Sequence, residues 1–339
     1  MSEVKLKQNA ATLQLTALQT QLLATLADGR FHSGEQLGQQ AGVSRAAVWK
    51  ALQGLEQVGL NVQAVSGRGY RFPAALELLN EDALLAELGT DSRSLLHKLT
   101  LFSIVDSTNA FLMRDSRHAH VCMAEYQAAG RGRRGRHWIS PFGSNIYFSL
   151  RWRFEEGMAT LSGLSLAVAV AALHALRDLG IEGAGVKWPN DIYWQGRKLA
   201  GILLEVAGES AGPCDVVIGI GLNVSMPRDA ATGIDQPWVD IASIKSGVGR
   251  NRLAGRLLHH MLLVVAEFQR RGLEPFADEW READVLAGRA VRLLLPNEEL
   301  CGIGRGIDGA GALLLEVAGE LQRYTYGEIS LRLQEDSNA

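Results

Sequence analysis

Seven consecutive residues, Gly130-Arg131-Gly132-Arg133-Arg134-Gly135-Arg136, constrain what can be built around them. No core accepts four permanent charges, and neither helix nor strand gains from three glycines. The segment must be a loop, held by regular structure on either side. Glycine lets a backbone approach a ligand closely, and each guanidinium offers a planar fork of donors to carboxylate or phosphate. The chain as a whole carries a net charge of -3, so the cluster is not part of a general basic bias. Two readings stay open: a loop that closes over an anion, and an RNA-binding Arg/Gly segment. The second usually comes as disordered repeats, whereas this run is single. A P-loop is excluded because GxxxxGK[ST] is missing.

At 339 residues and 47% hydrophobic content, two or three domains with buried cores are expected. Charge is unevenly spread. Residues 1–73 hold seven Lys/Arg against four Asp/Glu, which leaves a net -6 for the rest. A basic N-terminal module on an acidic body hints at a local nucleic-acid surface. Cys122, Cys214 and Cys301 form no CxxC pair, so neither a zinc site nor a disulfide framework is expected, and no metal ligands are assigned. The N-terminus, MSEVKLKQNAATLQL, lacks the apolar core of a signal peptide. The most apolar run, 161–179, contains Ser162, His174, Arg177 and Asp178 and is too polar to span a membrane. The expectation is a cytoplasmic protein with no membrane partner.

The chain divides by pattern. Leu15, Leu18 and Leu22 share one helix face, and Asp28-Gly29 ends that helix. Ser33 with Gln36 has capping-box form before a short helix that stops at Gly42. Ser44 can cap a third helix, whose inner face is Val48, Leu52 and Leu55. Its outer stripe carries Arg45, Trp49, Lys50 and Gln53. Residues 62–65 and 70–72 flank a glycine turn bearing Arg68 and read as a hairpin. Helix-turn-helix plus hairpin makes a winged helix. Its basic stripe and wing favour DNA over a plain protein-interaction module. A helical connector is expected over 74–96 and a mixed α/β domain over 97–287. From Gly288 to the end, short strands separated by Asn, Gly and Asp turns suggest a small β-barrel. The expected class is α+β.

Chemistry-bearing blocks fall in the middle domain. Asp106-Ser107-Thr108-Asn109 follows an apolar run and by itself reads as a helix cap. Glu125-Tyr126-Gln127 leads into the Arg/Gly loop, and Trp138 closes it. Lys187-Trp188-Pro189-Asn190-Asp191 reads as a strand broken by a proline turn, and Lys198 opens an apolar strand. Gly219-Ile220-Gly221-Leu222-Asn223 has a GxG without the strand-turn-helix setting of a dinucleotide fold.

In this order, STN, YQ-AAGRGRRGR-W, KWPND, RKLAGILLE and GIGLN closely resemble the biotin protein ligases. Phe31-His32-Ser33-Gly34-Glu35-Gln36-Leu37-Gly38 and Ser44-Arg45-Ala46-Ala47 extend the resemblance to the bifunctional ligase and biotin operon repressor type, over nearly the whole chain. The resemblance implies a winged helix-turn-helix, a class II synthetase-like ligase domain and an SH3-like C-terminal barrel. It implies formation of biotinyl-5′-AMP from biotin, ATP and Mg²⁺, then transfer of biotin to one lysine of the biotin carboxyl carrier protein of acetyl-CoA carboxylase. Ser107, Thr108, Asn109 and Gln127 would line the biotin pocket, with Arg131, Gly132 and Arg133 in the closing loop and Lys198 at the biotin carboxylate. Lys198, Arg133 and Arg131 would carry the catalysis. Arg136, Trp138, Asn190, Asp191 and Asn223 would serve ATP or the adenylate. Ser44, Arg45, Ala46, Trp49, Lys50, Gln53 and Arg68 would meet operator DNA. The adenylate would be the corepressor, driving a homodimer onto a two-fold site. Alternatives are a ligase whose winged helix no longer represses, a lipoate-type ligase, and a ligand-sensing transcription factor without catalysis.

Overall fold

The computed structural model describes residues 14–208, 212–295, 298–325 and 330–333. Its N-terminal module has three helices, α1 (Ala17–Leu26), α2 (Gly34–Ala41) and α3 (Arg45–Gly54), and a wing of β1 (Gln63–Val65) and β2 (Gly69–Arg71) paired antiparallel. Ser44 Oγ accepts the Ala47 N–H and caps α3. The reciprocal capping box expected at Ser33–Gln36 forms instead at Thr16–Gln19, and Ser33 caps α2 through the Glu35 N–H alone. Leu22, Leu26, Leu37, Val48, Leu52, Leu55 and Phe72 make the core. Phe142, from the following domain, is buried in the same cluster, with Ile104 and Tyr126 against its edge.

The connector departs from expectation. It is not one helical segment: residues 74–80 have no regular secondary structure, and only α4 (Glu81–Ala86) and α5 (Thr90–Leu95) are helical. Tertiary hydrogen bonds explain this. Glu77 accepts from the Arg250 and Asn251 N–H groups, the Leu79 N–H donates to Glu125, and the Leu76 N–H donates to the Ala27 carbonyl. The backbone is committed to neighbours and not to its own turns. Burial alone would raise the Glu77 carboxyl, but the donors of Asn251 and Arg250 hold it below its ordinary value.

The central domain is a seven-stranded sheet of β3 (Lys98–Val105), β4 (His120–Gln127), β5 (Ile146–Phe154), β6 (Ala184–Lys187), β7 (Asp191–Trp194), β8 (Arg197–Gly208) and β9 (Cys214–Leu222). The order is β3-β4-β5-β9-β8-β7-β6, with β3–β4 parallel and the other pairs antiparallel. Strand alternation sends side chains to two faces. Val121, Met123, Ile218 and Ile220 pack under α7 (Leu164–Asp178) and α9 (Arg250–Arg271), joined by Trp280 of α10 (Ala277–Glu282). Between α7 and α9 lies the short α8 (Ile241–Ile244). Cys122 and Val217 face the other way, under α6 (Thr108–Met113). The site lies on this second face.

The C-terminal region forms a five-stranded antiparallel sheet, β13-β12-β11-β10-β14. Its strands are β10 (Ala290–Leu294), β11 (Glu299–Ile307), β12 (Leu313–Val317), β13 (Glu320–Tyr324) and β14 (Ser330–Leu333). Residues 326–329, between β13 and β14, lie outside the described residues. No described helix is long and apolar enough to cross a membrane.

Candidate active site

The floor of the site is a patch of sheet cleared of side chains. On β8, Gly201, Leu203 and Glu205 share one face, and they pair with Gly221, Gly219 and Val217 of β9. A Cβ on Gly221 would collide with the Trp138 indole, and one on Gly219 with the Asn109 amide. A Cβ on Gly201 would lie 3.2 Å from the same indole. The GxG of β9 is a clearance for two overlying side chains, not a nucleotide fingerprint.

Over this floor lies a cavity of about 550 Å³. One end is a network of buried polar groups. Ser107, Thr108, Asn109 and Gln127 are all less than 9% exposed. Ser107 Oγ caps α6 by accepting the Ala110 N–H, so the helix-cap reading of this motif holds alongside the binding one. Gln127 Oε1 accepts from the Thr108 N–H at 2.9 Å, and Gln127 Nε2 donates to Ser140 Oγ. Ser149 Oγ lies 2.6 Å from Asn109 Oδ1 and 2.7 Å from Thr108 Oγ1. Its single proton serves Asn109, whose amide oxygen only accepts, so the Thr108 hydroxyl donates to Ser149 Oγ.

The other end is cationic. The Arg/Gly loop folds back on itself: the Gly132 N–H donates to the Arg136 carbonyl and the Trp138 N–H to that of Gly130. Arg134 and Gly135 take the left-handed conformation that lets the turn close. Arg131 pairs with Glu205 at 3.2 Å, and Arg133 Nη1 donates to Asn190 Oδ1. Asn190 in turn donates to the Ile202 carbonyl. Lys198 Nζ is 2.8 Å from Asp191 Oδ1 and 5.8 Å from the Trp138 ring centroid. The Trp138 Nε1 donor is buried without a partner among the described residues.

The cavity brings together Ser107, Thr108, Asn109, Gln127, Arg131, Gly132, Arg133, Arg136, Trp138, Asn190, Asp191 and Lys198. Asn223 is not on its lining; it is buried, donates to the Val239 carbonyl, and has an unpartnered Oδ1. Sequence reasoning missed Ser149 and Glu205, which orient Asn109, and Arg292, which reaches the lining from β10. The RKLAGILLE motif contained Glu205, and period-two alternation from Gly201 would have put it on the floor. Nothing local marked Arg292. Among the described residues no group of three or more His, Cys, Asp or Glu side chains is placed to hold a metal.

A second surface lies on the N-terminal module. Ser44, Arg45, Ala46, Trp49, Lys50, Gln53 and Arg68 are all exposed, Trp49 to 50%. Arg68 does not project freely, since its guanidinium stacks 4.1 Å from the Phe31 ring centroid, with Arg71 at 4.6 Å.

Comparison with known proteins gives three domain matches. Residues 101–223 match the biotin/lipoate A/B protein ligase family, 18–71 an HTH domain, and 287–332 the biotin protein ligase C-terminal domain. The bifunctional ligase/repressor BirA of Salmonella typhimurium is 42% identical over 94% of this chain and 99% of its own. BirA of Escherichia coli is 42% identical over 93% and 97% respectively. Among solved structures, the biotin protein ligase from Aquifex aeolicus in complex with biotin and ATP superposes with a TM-score of 0.61 at 25% identity. That match covers 70% of this chain and 100% of the other.

Proposed function

The chain belongs to the biotin/lipoate A/B protein ligase family, and from that premise we propose that it is a biotin protein ligase joined to a DNA-binding repressor module. One observation carries the reading of the site. A single cavity gathers a buried polar end, suited to a neutral hydrogen-bonding head group, and a cationic end suited to carboxylate and phosphate.

In the first step a biotin carboxylate oxygen attacks the α-phosphorus of ATP. The bond to the β-phosphate oxygen breaks, pyrophosphate leaves, and biotinyl-5′-AMP remains. Two anions must meet, so Lys198, Arg131 and Arg133 offset the repulsion and stabilise charge on the transferring group. Ser107, Thr108, Asn109 and Gln127 hold the biotin head. Trp138, Arg136 and Asn190 serve the nucleotide, with Asn223 behind the cavity wall. Mg²⁺ enters with ATP as part of the substrate. Asp191, a carboxylate on the cavity wall, fits the pattern of one protein ligand plus phosphates.

In the second step the neutral amine of a carrier-protein lysine attacks the anhydride carbonyl. An amide forms, AMP leaves, and a proton is lost. The folded Arg/Gly loop keeps water from the anhydride in the interval. The acceptor is the biotin carboxyl carrier protein. The adenylate also acts as corepressor, favouring a homodimer whose two winged helices bind a two-fold operator.

The test uses labelled biotin, MgATP and a biotin carrier domain, followed by a gel shift on biotin-operon DNA. Labelled adenylate, a labelled carrier and a shift strengthened by biotin plus ATP are expected. Absence of both labelled species would refute the ligase, and a shift indifferent to biotin plus ATP would refute the coupling.

A further inference from the structure

Glu205 ends the RKLAGILLE run without a ligand role assigned to it, yet two parts of the site meet on it. Its Oε2 accepts from Asn109 Nδ2 at 2.8 Å, and its carboxylate lies 3.2 Å from Arg131 Nη2. Asn109 sits in the buried polar end, and Arg131 in the folded loop. We propose that Glu205 is a positioning residue that latches the Arg/Gly loop to the biotin-binding end of the site, so that loop closure and biotin occupancy report to one carboxylate. This rests on the ligase reading above.

The surroundings restrict how this residue can be replaced. The Asn109 amide is held at both ends: Oδ1 accepts from Ser149 and Nδ2 donates to Glu205. It packs directly over Gly219, where a Cβ would collide with it. An ionised carboxylate only accepts, so it fixes which end of the amide faces β8 and still has lone pairs for Arg131. A glutamine has one accepting oxygen and no charge, and cannot serve both donors equally. An aspartate at the end of the Gly201-Leu203-Glu205 row, one methylene shorter, would not span the same two partners.

The pair has the strength a latch requires. The Arg131 side chain is 46% exposed and that of Glu205 24% exposed, so their attraction is partly screened by solvent. Such a pair opens readily when the loop must admit substrate and closes again without a large barrier. Glu205 is not on the cavity lining, so it acts through Asn109 and Arg131 and not on the reacting atoms.

The experiment measures escape of preformed labelled biotinyl-5′-AMP from the full-length protein, and separately its single-turnover synthesis. Glu205→Gln should raise the escape rate about two- to fivefold, the scale of a partly screened ion pair, while synthesis at saturating substrate falls less. High salt should bring the parent protein's escape rate towards that of E205Q and leave E205Q little changed, a signature that a packing role would not produce. Arg131→Met should raise escape similarly, and the two changes combined should add little more. Escape unchanged in E205Q, equal salt dependence in both proteins, or fully additive effects of the two substitutions would each overturn the proposal. Synthesis by the unaltered chain tests the ligase reading independently.

Discussion

The Arg/Gly loop and the third helix of the N-terminal module both expose cations, but the cations are held differently. Arg131 and Arg133 lean on acceptors inside the protein, Glu205 and Asn190. Arg45 and Lys50 are exposed and have no ion-pair partner among the described residues. A cation given an internal partner has a set position and can exchange that partner for one ligand of fixed shape. A cation left to water contributes to a field that any polyanion feels, with little geometric demand. On the function proposed above, the same residue type would serve a small-molecule lid in one place and a nucleic-acid face in the other.

The sharpest way to break this contrast is Lys198→Gln. Loss of the ammonium beside Asp191 should slow adenylate formation by about 10²–10³ in rapid-quench assays. Ligand-free DNA affinity should stay as it was. A comparable loss at both sites would mean that the two regions do not divide the work. Next in size is the pair Arg45→Ala with Lys50→Ala. Operator affinity should drop about 10- to 100-fold, and the slope of log affinity against log salt should flatten by about 4, two contacts being lost from each winged helix of the dimer. An unaltered slope would show that these cations touch no phosphate. The smallest effect tests how separate the regions are. Phe142→Leu trims a side chain buried in the winged-helix core, and should lower one common melting transition by about 1–3 °C in calorimetry. Two transitions, with only one shifted, would make the modules independent.

Local chemistry made much of this legible. Ser44 as a cap, Gly42 as a helix stop and the alternation along β8 and β9 follow from short-range rules that tertiary context did not override. The site motifs were readable because each pairs an unusual residue type with a turn or strand end. The missed features are long-range. Residues 74–80 resemble a helix by leucine spacing, but Glu77 and Asn80 are spoken for by the N-terminus of α9. Glu205 drew no reading of its own because its partners are 74 and 96 residues away. The Ser33–Gln36 box had the right letters, yet the form with both bonds sits at Thr16–Gln19. Two chemically equivalent patterns cannot be ranked without knowing what else the side chains touch.

Phe142 and Arg292 together impose a timetable on synthesis. The winged-helix core lacks one of its aromatic side chains until residue 142 has left the ribosome, although its third helix ends at residue 54. The ligand cavity lacks part of its wall until residue 292 emerges. At 5–20 residues per second, the interval between those two points is on the order of ten seconds or more. A chain that folds as it emerges would close the core behind α3 while its cavity still lacks the wall that β10 supplies.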